Sequence, residues 1–71
     1  MKKEKQQLGN NLREFRLKAE LSQEELADIS SLHRTYIGSV ERGERNISLE
    51  NIVLLSRALK ILPSELLKGI E

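Results

Sequence analysis

Cysteine and tryptophan are missing from this 71-residue sequence, histidine and proline occur once each, and the only aromatic residues are Phe15 and Tyr36. Each shortage excludes something. Without cysteine there can be no disulfide and no thiolate metal site, and His33 alone cannot build an imidazole cluster. No Gly-rich phosphate loop or metal-ligand spacing is present either, so neither metal, cofactor, small-molecule ligand nor enzymatic activity is expected. The core must come from Leu, Ile, Val and Ala within the 38% apolar fraction. A chain this short supports one small domain near the lower limit of unaided folding, so residues 1–71 are expected to form a single domain. No apolar run is long enough to cross a bilayer. The basic opening MKKEK is not followed by the apolar stretch of a signal peptide. A soluble cytoplasmic protein is the expectation, and residues 1–5 read as a flexible basic arm.

Net charge is only +1, but it is unevenly spread. Residues 1–18 carry six basic and two acidic side chains, whereas residues 19–29 carry Glu20, Glu24, Glu25 and Asp28 and nothing positive. Such polarity suits separate surfaces for separate partners, or simply solvated helix faces.

The apolar positions follow a helical period throughout, with no alternating strand pattern. Leu8, Leu12, Phe15 and Ala19 form one stripe of a first helix. Ser22 and Glu25 make an S-x-x-E capping box for a second, whose inner face would hold Leu26 and Ile29, and Ser30-Ser31 ends it. A third helix runs from about His33 to Arg42, closed by Gly43 in a position suited to positive φ. Ser48 caps a fourth, with Ile52, Val53, Leu54, Leu55, Ala58 and Leu59 inside. Pro63 opens a short fifth containing Leu66, Leu67 and Ile70. The fold class is therefore all-α, a bundle of five short helices.

The third helix raises the functional question. At about 100° per residue, Ile37 and Val40 mark its buried side, and Thr35, Ser39 and Arg42 fall opposite. Tyr36 and Gly38 lie on the flanks, Arg34 projects from the first turn, and His33 falls on the buried side as a packing or capping residue. This outward face offers guanidinium, hydroxyl and phenol groups and no carboxylate. Arginine can bond guanine in bidentate fashion, and a short helix fits the major groove. An ordinary solvated helix face would look the same. The preceding helix adds weight: its N-terminus offers backbone N–H groups, Ser22 and Gln23 to a phosphate oxygen. Two helices joined by a three-residue turn, one braced on the DNA backbone and one in the groove, make a helix-turn-helix, here at about residues 22–42.

"LGNNLREFR", "LSQEELA", "VERGER" and "LENIVLLSRALKILPSELL" together resemble the Xre/Cro/phage-repressor family of helix-turn-helix DNA-binding proteins, over about residues 8–67. More narrowly, "LHRTYIGSVERGERNISLENI" resembles the controller proteins of restriction–modification systems. The resemblance implies a lambda-repressor-like DNA-binding domain of bacterial or phage origin, regulating transcription from double-stranded DNA as repressor or activator. It implies base reading by Arg34, Thr35, Tyr36 and Ser39, and phosphate or flanking contacts from Ser22, Gln23, Arg42, Arg45 and Asn46. Arg16 and Glu41 match a structural salt bridge between first and third helices. Glu24 and Asp28 match positions through which activators touch the sigma subunit of RNA polymerase, although a dipole-complementing charge set would look alike. It also implies a homodimer through residues 48–70. Leu49, Val53, Ile61, Leu62, Leu66 and Ile70 are the expected interface, since they exceed what one small core needs. A phage-type or antitoxin-like repressor, or a protein-interaction adaptor on the same fold, remains the alternative. Two positions depart from the family pattern: Ser31 stands at the turn position usually held by glycine, and Gly38 where controller proteins usually have serine.

Overall fold

The computed structural model describes all residues from Met1 to Glu71 and contains five helices: α1 (Lys2–Lys18), α2 (Gln23–Ser30), α3 (Arg34–Glu41), α4 (Leu49–Leu59) and α5 (Pro63–Leu66). The all-α expectation holds. No helix is long and apolar enough to cross a membrane. The helix starts follow the sequence signals closely. The Ser22 hydroxyl accepts from the Glu25 N–H at 3.0 Å while the Glu25 carboxylate accepts from the Ser22 N–H at 2.8 Å, which completes the capping box. These bonds hold the Glu25 carboxyl below its ordinary pKa. Ser48 caps α4 through the Asn51 N–H. His33 caps α3, its Nδ1 accepting from the Thr35 N–H at 3.2 Å, and its ring is exposed rather than turned to the buried side.

The helix ends share one device. Glu20, Ser31, Gly43 and Lys60 all have φ between 58° and 77°. After each, the chain's next N–H returns to a carbonyl in the last turn: Leu21 to Arg16, Leu32 to Ala27, Glu44 to Ser39 and Ile61 to Ser56. This left-handed closure satisfies carbonyls that would otherwise be orphaned and turns the chain sharply toward the next helix. Only Gly43 announces it by residue type; the other three accept the steric cost of a Cβ in that conformation.

Leu8 and Leu12 of α1, Leu26 and Ala27 of α2, Ile37 and Val40 of α3, Ile52, Leu55 and Leu59 of α4, and Leu66 of α5 form one core. Around it α1 packs on α3 and α5, α2 on α3 and α4, and α4 on α5. Gly9 is essential to the first of these contacts, because a Cβ there would lie 2.4 Å from the Val40 carbonyl oxygen. Asn11, buried in α1, donates to the carbonyls of Leu66 and Lys68 at 2.9 and 2.7 Å and so ties down the end of α5.

Four further expectations need correction. Residues 2–5 are the first turn of α1, not an arm outside the fold. Ala19 is exposed, because α1 has already ended at Lys18. Ile29 is 56% exposed, because α2 turns the arc containing Leu26, Ala27 and Ser30 inward, where two small residues permit close packing. Leu66 is completely buried as part of the monomer core and is unavailable to a second subunit.

Ser31 stands exposed at φ 62°, with its hydroxyl engaged by nothing. Ser31→Gly is expected to stabilise the fold by about 1 kcal/mol, the cost of a Cβ in the left-handed region. That corresponds to a rise of about 4–8 °C in the thermal midpoint of a domain this size. A midpoint that stays or falls contradicts the account.

Candidate nucleic-acid interface

The placement of α3 depends on a buried charge cluster behind it. The Arg16 Nε donates to Glu41 Oε2 at 2.6 Å and its Nη2 to Glu41 Oε1 at 3.0 Å. The third guanidinium nitrogen donates to the Leu21 carbonyl at 2.9 Å. Gln23 Nε2 adds a further bond to Glu41 Oε1 at 3.1 Å. The side chains of Arg16 and Glu41 are 10% and 5% exposed. Hydrogen bonding to Glu41 raises the Arg16 pKa further above its already high value. One carboxylate therefore joins α1, the start of α2 and the end of α3, and every charged nitrogen has a partner. The pair expected between Arg16 and Glu41 is present, and it withdraws Glu41 from the outer surface.

In front of this cluster a polar groove runs between the start of α2 and the outer side of α3. Ser22, Gln23, Arg34, Thr35, Gly38 and Arg42 line it together with Arg16 and the exposed Glu24 carboxylate, and no apolar side chain does. Arg34 and Thr35 are exposed, as a base-reading role requires. Arg34 Nη1 stands 3.5 Å from the Glu24 carboxylate. Arg42 is held by Glu44 in a two-pronged pair, Nε to Oε2 at 3.0 Å and Nη2 to Oε1 at 3.2 Å. The Arg42 guanidinium holds the Glu44 carboxyl below the usual carboxylate range. A two-helix unit joined at Ser31–His33, with its donor-rich face outward and its one internal carboxylate sequestered, is a helix-turn-helix. Residues 12–66 match the helix-turn-helix family. The chain belongs to that family, of DNA-binding transcription regulators.

Relatives narrow the setting. The control protein C.SmaI of Serratia marcescens is 56% identical over 55 residues, which make up 78% of this chain and 66% of that protein. The control protein C.BamHI of Bacillus amyloliquefaciens is 52% identical over 60 residues, 83% of this chain and 74% of the relative. Among solved structures, the restriction–modification controller protein C.AhdI from Aeromonas hydrophila superposes with a TM-score of 0.86 at 53% identity, covering 87% of this chain and 94% of that one.

Within this helix-turn-helix, two expected base readers are not freely presented. Ser39 is 6% exposed. Its hydroxyl donates to the Tyr36 carbonyl at 2.8 Å and accepts from Arg45 Nε at 3.1 Å. Ser39 does point away from the core, as its helical position requires, but the loop after α3 folds Arg45 back over it. The Ser39 hydroxyl is thus engaged within the chain and holds Arg45. Tyr36 is half-buried, its hydroxyl accepting from Asn51 Nδ2 at 3.0 Å, with the Arg45 guanidinium 5.4 Å from the ring centre. Asn46 is exposed beside Arg45. Two contributors escaped the sequence reading. Asn51 shows only as a polar residue in the first turn of α4, one helix away from its phenol partner. Glu44 lies inside the "VERGER" stretch, two residues beyond Arg42, close enough to have raised the question of a local ion pair.

Arg16→Ala would leave the buried Glu41 carboxylate with only Gln23, and is expected to cost about 3–5 kcal/mol. Much of a 71-residue domain's whole stability would be lost. Replacing both partners by apolar residues, Arg16→Met with Glu41→Leu, is expected to recover most of that loss. Denaturant melts of the single and double variants check this, and a double variant as unstable as the single one contradicts it.

Proposed function

We propose that this chain is a restriction–modification controller that binds a near-palindromic operator as a homodimer, placing α3 of each protomer in the major groove. The observation that carries the reading is the outward face of α3 with Arg34 and Thr35 exposed at its start, backed by the capped N-terminus of α2. Arg34 and Thr35 contact base edges. Ser22, Gln23, Arg45 and Asn46 serve the phosphate backbone. Leu49, 74% exposed, and Leu62, 65% exposed, are the apolar residues best placed to meet a second subunit. Half-buried Val53, Ile61 and Ile70 support them. Two recognition helices about 34 Å apart would then read successive major grooves. On the acidic side of α2, Asp28 is exposed and Glu24 faces Arg34, which leaves Asp28 the better candidate for touching the sigma subunit of RNA polymerase. Function in the bacterial cytoplasm follows from this role.

Selection of bound duplexes from a random pool tests the reading. A paired, inverted motif with half-sites about one helical turn apart is the expected result. Binding should weaken steeply with salt, since phosphate contacts release counterions. Arg34→Ala or Thr35→Ala should relax preference at single positions by about 1–3 kcal/mol, while Gln23→Ala weakens all duplexes alike. No enriched motif and no salt-dependent duplex binding would sink the reading and favour a protein-interaction adaptor.

A further inference from the structure

Arg42 closes α3, and a helical side chain leans back toward the N-terminus of its helix. Its Nη1 lies only 3.2 Å from the point where a Cβ on residue 38 would stand. Gly38 thus leaves a passage across the outer face of α3. The guanidinium is carried through it about one turn, roughly 5 Å, toward the end that bears Arg34 and Thr35. It arrives in the polar groove that those two residues and Gln23 line.

Glu44 fixes which edge of the guanidinium remains available. Its two oxygens take Nε and one proton of Nη2. Both Nη1 protons and the second Nη2 proton remain, and together they form a second edge with two parallel donors. That edge matches the O6 and N7 acceptors of guanine in the major groove. The pair is also neutral in sum. A phosphate is attracted chiefly by net positive charge, which Glu44 cancels locally. A neutral base edge needs only directed donors, which the pair keeps.

We infer that Arg42 is a specificity-determining residue that reads a guanine, with Glu44 as its positioning residue and Gly38 as the position that admits it to the groove. The inference rests on the DNA-binding reading above and reassigns Arg42 from the backbone contact that the sequence suggested. A serine Cβ at position 38 would stand 3.2 Å from Arg42 Nη1 and 3.4 Å from the Gln23 amide oxygen and would shift the guanidinium by a few tenths of an ångström, so glycine there is part of the recognition surface rather than a missing contact.

The test uses the selected operator, derivatives with each guanine replaced singly, and a duplex of unrelated sequence, each measured at several salt concentrations. Wild-type protein should lose about tenfold or more in affinity when one particular guanine is replaced. Arg42→Ala and Glu44→Gln should each abolish most of that discrimination at the same position and at no other. Gly38→Ser should diminish it there too. Glu44→Gln should also bind the unrelated duplex more tightly, with a salt slope steeper by about 0.9, because an unmasked Arg42 now neutralises one more phosphate. Arg42 and Glu44 side chains are 60% and 56% exposed, so both variants should fold, and a thermal melt confirms it. Uniform weakening of every duplex by Arg42→Ala would make Arg42 a backbone contact and overturn the inference. So would Glu44→Gln strengthening operator and unrelated duplex in equal proportion. Both of those outcomes leave the controller reading standing. Failure of the wild-type protein to bind any duplex removes both.

Discussion

Everything in the arrangement of the three N-terminal helices depends on Glu41 being buried as an anion. A lone carboxylate in that position would be strongly destabilising, so α1 must bring Arg16 to it and α2 must bring Gln23. Geometry follows from this requirement. The guanidinium spans Glu41 on one side and the Leu21 carbonyl on the other, which sets the spacing between the end of α1 and the start of α2. Gln23, one residue past the cap, fixes how α2 is rotated against α3. Gly9 acts on the same contact from the opposite end, allowing α1 to approach the last carbonyls of α3. An apolar cluster could have supplied comparable stability, but a bidentate pair specifies orientation as well as proximity.

The second constraint is brevity. With α2 and α3 only eight residues each, the domain has little room for loops, and the chain must reverse within a few residues at every helix end. Left-handed closure achieves this at Glu20, Ser31, Gly43 and Lys60. It explains why three non-glycine residues tolerate an unfavourable backbone. The turn is imposed by where the next helix must pack, and the core supplies the free energy to hold it.

These two constraints show what could be read in advance. Helix starts were legible because their signals are local: a serine, a glutamate three residues on, a proline at the first turn. The apolar spacing correctly assigned most of the core. The Arg16–Glu41 pair came from family resemblance, since nothing local links residues 25 apart. The end of α2 was marked by Ser30-Ser31, but left-handed closure was legible only at Gly43, because glycine advertises positive φ and glutamate, serine or lysine do not. The residues whose surroundings differ from expectation share one cause. A helical wheel tells which way a residue points, not what the rest of the chain lays over it. Ser39 points away from the core, yet Arg45 covers it; Tyr36 lies on a flank, yet Asn51 of the next helix claims its hydroxyl. Ile29 and Leu66 failed for a related reason, because short helices offer too few turns to distinguish adjacent arcs before their packing partners are known.

The same internal bonding bears on how a chain of net charge +1 can act on a polyanion. Its recognition surface is not a basic patch. Each arginine of α3 and of the loop that follows it is already engaged: Arg34 by Glu24, Arg42 by Glu44, Arg45 by Ser39 and the Tyr36 ring. A face on which Arg34 and Arg42 are compensated in this way carries less unpaired charge, so its long-range attraction for any duplex is reduced. It still presents donors in fixed directions, and these gain most where a duplex offers matching acceptors. Discrimination between sequences grows as the uniform part of the attraction falls, while close phosphate contacts still make binding salt-dependent. On that logic, pairing the arginines of a near-neutral chain favours discrimination between sequences over tight binding to any duplex.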